Sequence, residues 1–402
     1  MRVTINKCTL SGTINAPASK SFGHRLMICA ALSDGVSHVS GISDSEDMLA
    51  TLDCISALGA KYEKKGGAVT IYGVPRPKNI MSTFPCRESG STLRFFIPIS
   101  ISGGGDVRFT GTKRLIDRGI GIYEELFVKK SISVKKGGDS ISISGTLPPG
   151  EYTLRGDVSS QFISGLLFSL PLLDGDSVIK ILPPVESRAY IDITVQALKT
   201  FGVTTDETER NVFRIKGNQT YKSADVSVEG DWSNAAALYG LKSLGHDLNI
   251  TGLNESSIQG DMICRELLEK LDGGSAEIDL SNCPDLGPVL FAAAAAKNGA
   301  HFTGTRRLRI KESDRASSMA EELEKFGILC EVGENSVTVF KGKLHAPRGA
   351  LSAHNDHRIV MALTLLLTLT GGEIDGAQAI NKSYPNFFDE LEGLGLEVTY
   401  EP

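Results

Sequence analysis

The chain has 402 residues, 41% hydrophobic and 22% charged, an ordinary globular composition long enough for two domains or one large repeated architecture. A formal net charge of −6 argues against a general nucleic-acid surface, so any local gathering of cations should serve a small anionic ligand. The seven cysteines (Cys8, Cys29, Cys54, Cys86, Cys264, Cys283 and Cys330) form no metal-ligand spacing, and several sit in apolar runs, which predicts reduced, buried thiols in a cytosolic protein.

In chain order, "MRVTINKCTLSG" has the character of neither a signal nor a transit peptide. An apolar helix, "SFGHRLMICAAL", is entered through "ASKS" and closes at the turn "ALSDG". An amphipathic helix, "EDMLATLDCISALGA", and a strand, "AVTIYG", follow. The polar entry "RESGST" opens the next apolar run, which closes at "SISGGG" before the strands "DVRFTG" and "SISISG". "DVSSQ" opens "SQFISGLLFSLPLL", followed by the turn "PLLDG", the strand "SVIKIL", the helix "YIDITVQALKTFGV" and the strand "VFRIKG". "EGDWSN" opens "NAAALYGLKSL", with the strand "HDLNITG" after it. "NCPD" opens "PVLFAAAAA", then come "AHFTG", "SMAEELEKFGI" and "SVTVFKG". "HNDHR" opens "IVMALTLLLTLTGG", which, like "PVLFAAAAAKNG", is too short to span a bilayer.

The Gly turns fall at Gly35, Gly105, Gly175, Gly245, Gly299 and Gly371, spaced by 70, 70, 70, 54 and 72 residues. Such self-similarity predicts six βαβ-type modules with sheets outside and helices packed inward. The helix before each Gly turn is apolar nearly all round and should be buried. The Ser, Thr, Asp and Asn at the helix entries are ordinary N-caps, but capping does not account for Lys20, Gln161 or Arg358 beside them. Helix N-termini gathered on one cleft, supplemented by Arg and Lys, would make an anion site. The stretch "RRLRIKESDRASSMAEELEKFG" sharpens the point. It places Arg306, Arg307, Arg309, Lys311 and Arg315 ahead of a helix whose dipole should repel them, which predicts an anion between the cations and the helix.

Seven motifs in order, "SKSFGHR", "SGSTLRF", "DVSSQF", "VEGDWS", "KESDR", "NDHR" and "NKSYPNFF", together resemble the 5-enolpyruvylshikimate-3-phosphate synthase family over essentially the whole chain. The resemblance implies an α/β fold of two similar domains, each of three βαβαββ units in an inside-out α/β barrel, with the active site in the interdomain cleft. One domain would be continuous over 13–226; the other would join 1–12 to 227–402.

The implied reaction moves the enolpyruvyl group of phosphoenolpyruvate to the 5-hydroxyl of shikimate 3-phosphate and releases phosphate, a step of chorismate and aromatic amino acid biosynthesis. It runs by addition and elimination through a tetrahedral intermediate. By motif, Lys20, Gly90, Arg118, Gln161, Arg315, Arg358 and Lys382 would surround phosphoenolpyruvate. Lys20, Ser21, Arg25, Ser159, Ser160, Gln161, Ser187, Tyr190, Asp285 and Lys311 would hold shikimate 3-phosphate. Asp285 matches the family's base, and Glu312, with or without Lys20, its acid. The bland readings are an N-cap for Asp285, a surface i,i+3 ion pair for Glu312 and Arg315, and a turn or packing glycine at Gly90. His24, Glu88, Phe95, Gly119 and Arg307 depart from the commonest family pattern. No metal or organic cofactor, nucleic acid or membrane is implied; a cytoplasmic monomer is. The nearest rival is a UDP-N-acetylglucosamine enolpyruvyl transferase, whose reactive loop cysteine has no counterpart in "TGTKRLIDRGIG". A rival of another class is a non-catalytic anion-binding repeat protein.

Overall fold

In the computed structural model, which describes residues 1–401, the chain forms two compact units. One is Lys20–Glu229; the other joins Met1–Ser19 to the chain from Gly230 onward. The predicted repeat appears as a repeated sheet. In the first unit, Thr83–Pro85 pairs in parallel with Gly105–Thr110, which pairs antiparallel with Ser140–Gly145 and, beyond it, Ser133–Lys136. Gly150–Arg155, Ser177–Leu182, Val212–Ile215 and Asp206–Glu209 repeat that order. A parallel neighbour requires a crossover, and the apolar helices Gly90–Ser100 and Ser160–Ser169 supply it. The sheet around Val36–Ser40 takes its parallel strand, Asp225–Ser227, from the far end of the unit.

In the other unit, Ala276–Asp279, Ala300–Thr303, Ser336–Val339 and Cys330–Val332 form a sheet of the same order. The Gly371 repeat borrows its antiparallel strands from the two ends of the chain, Arg2–Ile5 and Val398–Glu401. The Gly245 repeat has, among the described residues, only the parallel pair Asp247–Thr251 with Ser11–Asn15. That missing hairpin accounts for the short 54-residue spacing. The same pairing holds Thr13–Asn15 with the C-terminal unit, where the sequence reading put them in the continuous domain. At the other end, Asp225–Ser227 pairs with His38–Ser40 and keeps Ser227 in the continuous unit.

The helices before the Gly turns form the cores: every residue of Gly287–Ala295 and of His357–Thr368 is buried. Gly35, Gly245, Gly299 and Gly371 take left-handed φ values of 114°, 100°, 71° and 73°, the turn that lets a strand leave a helix end. In the second repeat Gly104 (φ 87°), not Gly105, has that role. All seven cysteines are free thiols; Cys8 and Cys330 are half-buried and the other five buried.

Candidate active site

Within the Lys20–Glu229 unit, the helices Lys20–Ala31, Arg188–Thr200, Ser160–Ser169 and Gly90–Ser100 pack side by side in that order. Side chains near their N-terminal ends bond across the helices. Arg25 Nε donates to Thr194 Oγ1 at 2.7 Å, Nη1 to the Ser21 carbonyl at 2.7 Å, and Nη2 to the Tyr190 carbonyl at 3.0 Å and Ser164 Oγ at 3.4 Å. Its guanidinium carbon lies 5.0 Å from the centroid of the Phe95 ring. Burial without a carboxylate counter-ion lowers the Arg25 pKa to about 10.

Gln161 Nε2 donates to Ser91 Oγ at 2.8 Å, and its Oε1 accepts from Arg94 Nη1 at 2.6 Å. Gly90 lies against Arg118: a Cβ there would be 3.1 Å from Nη2 and 3.2 Å from Nη1. Close approach, rather than a turn, is therefore what this glycine permits. Ser159 caps its helix, accepting from the Gln161 N–H at 3.3 Å, and Ser160 beside it is buried. Ser187 is buried in the left-handed region (φ 54°), and its carbonyl accepts from the Tyr190 N–H at 3.2 Å. Lys20, first residue of its helix, pairs with Asp47 at 2.9 Å.

The second group of residues lies in the other unit. The cations of "RRLRIKESDR" are spread differently from the sequence expectation. Arg306, Arg307 and Arg309 belong to a 3-10 turn, Arg306–Ile310, and Arg306 and Arg309 are exposed. The α-helix begins only at Arg315, with Asp314 accepting from the Ser317 N–H at 3.2 Å as its cap. The anions facing Arg315 belong to the protein. Its Nε and Nη2 donate to Asp356 at 2.8 and 3.2 Å, Nη1 to Asp285 at 2.7 Å, and Nη2 to Glu312 at 2.7 Å. Arg315 is only 1% exposed, so its pair with Glu312 is not a surface ion pair. Burial opposes its charge, but Asp356, Glu312 and Asp285 outweigh burial and raise its pKa.

Asp285 sits in the 3-10 turn Pro284–Leu286, one residue before the N-cap position, which Leu286 occupies. Its Oδ1 accepts from Lys311 Nζ at 2.9 Å as well as from Arg315. Burial works against its ionisation, yet Lys311, Arg315 and Arg358 prevail and hold its pKa well below the ordinary aspartate value. Lys311 is lowered from its usual value, first by burial, with Arg315 and Arg307 adding to the effect and Asp285 opposing it. Glu312, the candidate acid, contacts the Arg315 guanidinium at 2.7 Å. Arg358 anchors Nη1 on the Ser233 carbonyl and Nη2 on Ser233 Oγ, both at 2.5 Å. Lys382 Nζ donates to the Asn355 carbonyl at 2.6 Å. Asn355 and His354 both have left-handed backbones, and His354 Nε2 lies 2.8 Å from Glu322 Oε1. Glu321, Glu322 and His354 group closely enough to suit a cation, but Lys325 already engages both oxygens of the buried Glu322.

Thus the structure gathers Ser21, Arg25, Gln161 and Tyr190, with Gly90 against Arg118, in one unit. It gathers Asp285, Lys311, Glu312, Arg315 and Arg358 in the other. Sequence reasoning passed over Arg94, Asp356, Ser233 and Asp47. Arg94 could have been found one helical turn beyond Gly90, and Asp356 as the cap inside "NDHR". Nothing in the sequence pairs Asp47 with Lys20. Among the departures, Phe95 faces Arg25, and Gly119 has φ 71°, a left-handed backbone that favours glycine. His24 is buried with Nδ1 at 2.6 Å from Thr51 Oγ1; burial, then Lys20 and Arg25, lower its pKa well below the usual value.

The sequence profile of the EPSP synthase (3-phosphoshikimate 1-carboxyvinyltransferase) family matches residues 5–279 and 273–391. A Clostridium kluyveri protein named 3-phosphoshikimate 1-carboxyvinyltransferase is 39% identical over 98% of both chains. A protein of the same name from a Clostridium botulinum strain is 40% identical over 96% of this chain and 95% of its own. Among solved structures, an EPSP synthase from Acinetobacter baumannii superposes with a TM-score of 0.79 at 24% identity, covering 99% of this chain and all of that one. The enolpyruvyl transferase NikO from Streptomyces tendae reaches the same TM-score at 16% identity, over 99% and 98%. These two likenesses concern the fold.

Proposed function

Because the chain belongs to the EPSP synthase (3-phosphoshikimate 1-carboxyvinyltransferase) family, we propose that it transfers the enolpyruvyl group of phosphoenolpyruvate to the 5-hydroxyl of shikimate 3-phosphate and releases phosphate. The observation that carries the reading is Asp285, a half-buried carboxylate held ionised between Lys311 and Arg315. An ionised, partly desolvated carboxylate fits a base that accepts the proton of the attacking hydroxyl. The hydroxyl oxygen bonds to C2 of the donor, and C3 takes a proton to become a methyl group. Loss of a C3 proton then expels phosphate and restores the double bond. Glu312 and Lys20 are the candidate proton donors at C3; solvent deuterium incorporation by the Glu312→Gln and Lys20→Met enzymes separates them.

Arg25, with Ser21, Ser159, Ser160, Gln161, Ser187 and Tyr190, is assigned to shikimate 3-phosphate, because an uncompensated buried guanidinium gains most from a phosphate. Gly90, Arg118, Arg315, Arg358 and Lys382, with Lys20 and Gln161, are assigned to phosphoenolpyruvate. Among the described residues no helix is long and apolar enough to cross a membrane. The protein is proposed to act as a cytoplasmic monomer.

The test is phosphate release with each acceptor. Turnover with shikimate 3-phosphate and none with UDP-N-acetylglucosamine is expected. The reverse would assign the chain to the rival transferase, and binding without turnover would make it a ligand-binding protein.

A further inference from the structure

The helix Arg315–Lys325 grips the segment leading into the Arg358 helix at two points. At its start, Arg315 holds Asp356, the cap of that second helix. Seven residues further along the same face, Glu322 holds Ser352 and His354. Glu322 is fully buried. Its Oε1 accepts from His354 Nε2 at 2.8 Å and from Lys325 Nζ at 3.0 Å; its Oε2 accepts from Lys325 Nζ at 2.9 Å and from the Ser352 N–H at 3.0 Å. Burial opposes its charge, but the bonds from His354, Lys325 and Ser352 outweigh burial and lower its pKa. An ionised carboxylate can only accept, so Nε2 of His354 carries the proton of their hydrogen bond.

Between the two grips the backbone is left-handed at two successive residues that are not glycine, His354 (φ 47°) and Asn355 (φ 52°). Such a conformation persists where the surroundings fix it. Here it aims the Asn355 carbonyl at Lys382, which ends the 3-10 turn Ala377–Lys382 and donates its Nζ to that carbonyl at 2.6 Å. Glu322 is thus joined to Lys382 by a hydrogen bond to His354, one peptide link and a second hydrogen bond. We propose that Glu322 and His354 are positioning residues for enolpyruvyl transfer: they lock the His354–Asn355 turn, so that the Asn355 carbonyl holds the Lys382 ammonium in place for the donor substrate. The inference rests on the assignment of Lys382 to phosphoenolpyruvate.

The neighbouring elements have ties of their own. The strand Leu351–Ser352 pairs with Ile374–Asp375, and Asp356 caps its helix by accepting from the Arg358 N–H at 2.9 Å. What the clasp on His354 adds is a fixed course for the residues in between. Lysine carries a compact charge on a flexible stem, so where the ammonium sits before a ligand arrives depends on its partners. A carbonyl held rigidly beneath it orders the side chain in advance and reduces the entropy lost when an anion binds.

The experiment compares wild type, His354→Gly, His354→Gln and Glu322→Gln, each as the full chain. The rate of Lys382 acetylation by acetic anhydride is followed by mass spectrometry without substrate, and KM is measured for each substrate at pH 7.5. His354→Gly removes the imidazole while suiting the left-handed backbone, so its effects report the clasp rather than backbone strain. It and Glu322→Gln should speed Lys382 acetylation several-fold and raise KM for phosphoenolpyruvate about five- to thirtyfold, with KM for shikimate 3-phosphate within about twofold. His354→Gln places an N–H where Nε2 stood and should recover most of both losses. Unchanged acetylation in His354→Gly and Glu322→Gln overturns the proposal. So does a parallel rise of both KM values that His354→Gln fails to rescue, the mark of a merely structural role. Should Glu322→Gln not fold, the two His354 variants decide alone. Faster acetylation with both KM values unaltered upholds the lock on Lys382 and removes Lys382 from the donor's contacts.

Discussion

Arg25 and Arg315 are buried arginines near helix N-termini, one in each unit, and their surroundings push them in opposite directions. Arg25 is met by hydroxyls, carbonyls and an aromatic face, and burial lowers its pKa. Arg315 is met by Asp285, Glu312 and Asp356, which raise its pKa despite burial. A cation among neutral groups is preorganised for an anion that arrives from outside. A cation among carboxylates is fixed in place by them, and it helps to keep Asp285 ionised. The Lys20–Glu229 group is therefore suited to gripping a phosphate, and the Asp285 group to moving a proton.

The largest effect should come from removing the charge at the centre of the carboxylate-rich group. Asp285→Asn should lower kcat by roughly 10²–10⁴-fold while shikimate 3-phosphate still binds, measured by initial rates and calorimetry. Its stability effect has a fixed sign. The depressed pKa of Asp285 contributes stability that is complete above the unfolded value of about 4 and is lost as pH falls through the folded one. The wild type should thus outlast the variant at pH 7, and the gap should shrink below pH 4. Near-normal kcat would leave Asp285 with a structural role only.

Next comes a direct exchange of the two arginines' fates. Arg315→Met leaves three carboxylates around a lost cation and should cost about 3–5 kcal/mol of folding stability. Arg25→Met removes a charge that burial disfavours. It should leave the urea midpoint unchanged or higher while weakening shikimate 3-phosphate about ten- to a hundredfold. Equal destabilisation by both substitutions would erase the distinction between the units.

A smaller effect belongs to Gly90. A Cβ there would press on the Arg118 guanidinium at 3.1–3.3 Å, tighter than an ordinary contact, so the arginine must shift by a few tenths of an ångström. Gly90→Ala should raise KM for phosphoenolpyruvate by about three- to tenfold and leave shikimate 3-phosphate alone. If neither KM moves, Arg118 is not a donor contact.

Much of this was legible in the sequence because the repeat is written in backbone terms. The Gly turns mark where strands leave helices, and the all-apolar helices declare their burial. The short Gly245 repeat could be seen but not explained, because its strand partner, Ser11–Asn15, lies more than 200 residues away. Site residues were legible where motif and helix entry coincide, as at Lys20, Gln161 and Arg358. The counter-ions were not. Asp356 meets Arg315 across 41 residues and Asp47 meets Lys20 across 27, distances at which no local pattern identifies a partner. For the same reason, the carboxylates that Arg315 meets, Asp285, Glu312 and Asp356, could not be read from "RRLRIKESDR".

The smallest effect tests the neutral character of the Arg25 site itself. Phe95, one of the departures from the commonest family pattern, sets its ring 5.0 Å from the Arg25 guanidinium carbon and packs against His24 and Phe168. An aromatic face stabilises a cation without neutralising it, so Arg25 keeps its full charge for the ligand. Phe95→Leu retains apolar volume but removes the ring quadrupole. It should weaken shikimate 3-phosphate by about 0.5–1 kcal/mol, roughly two- to fivefold, with KM for phosphoenolpyruvate unchanged. Lost packing alone would lower the melting temperature and leave that affinity intact. The two are separated by adding Phe95→Leu to Arg25→Met: if the ring acts through the guanidinium, the double variant should bind shikimate 3-phosphate no more weakly than Arg25→Met alone.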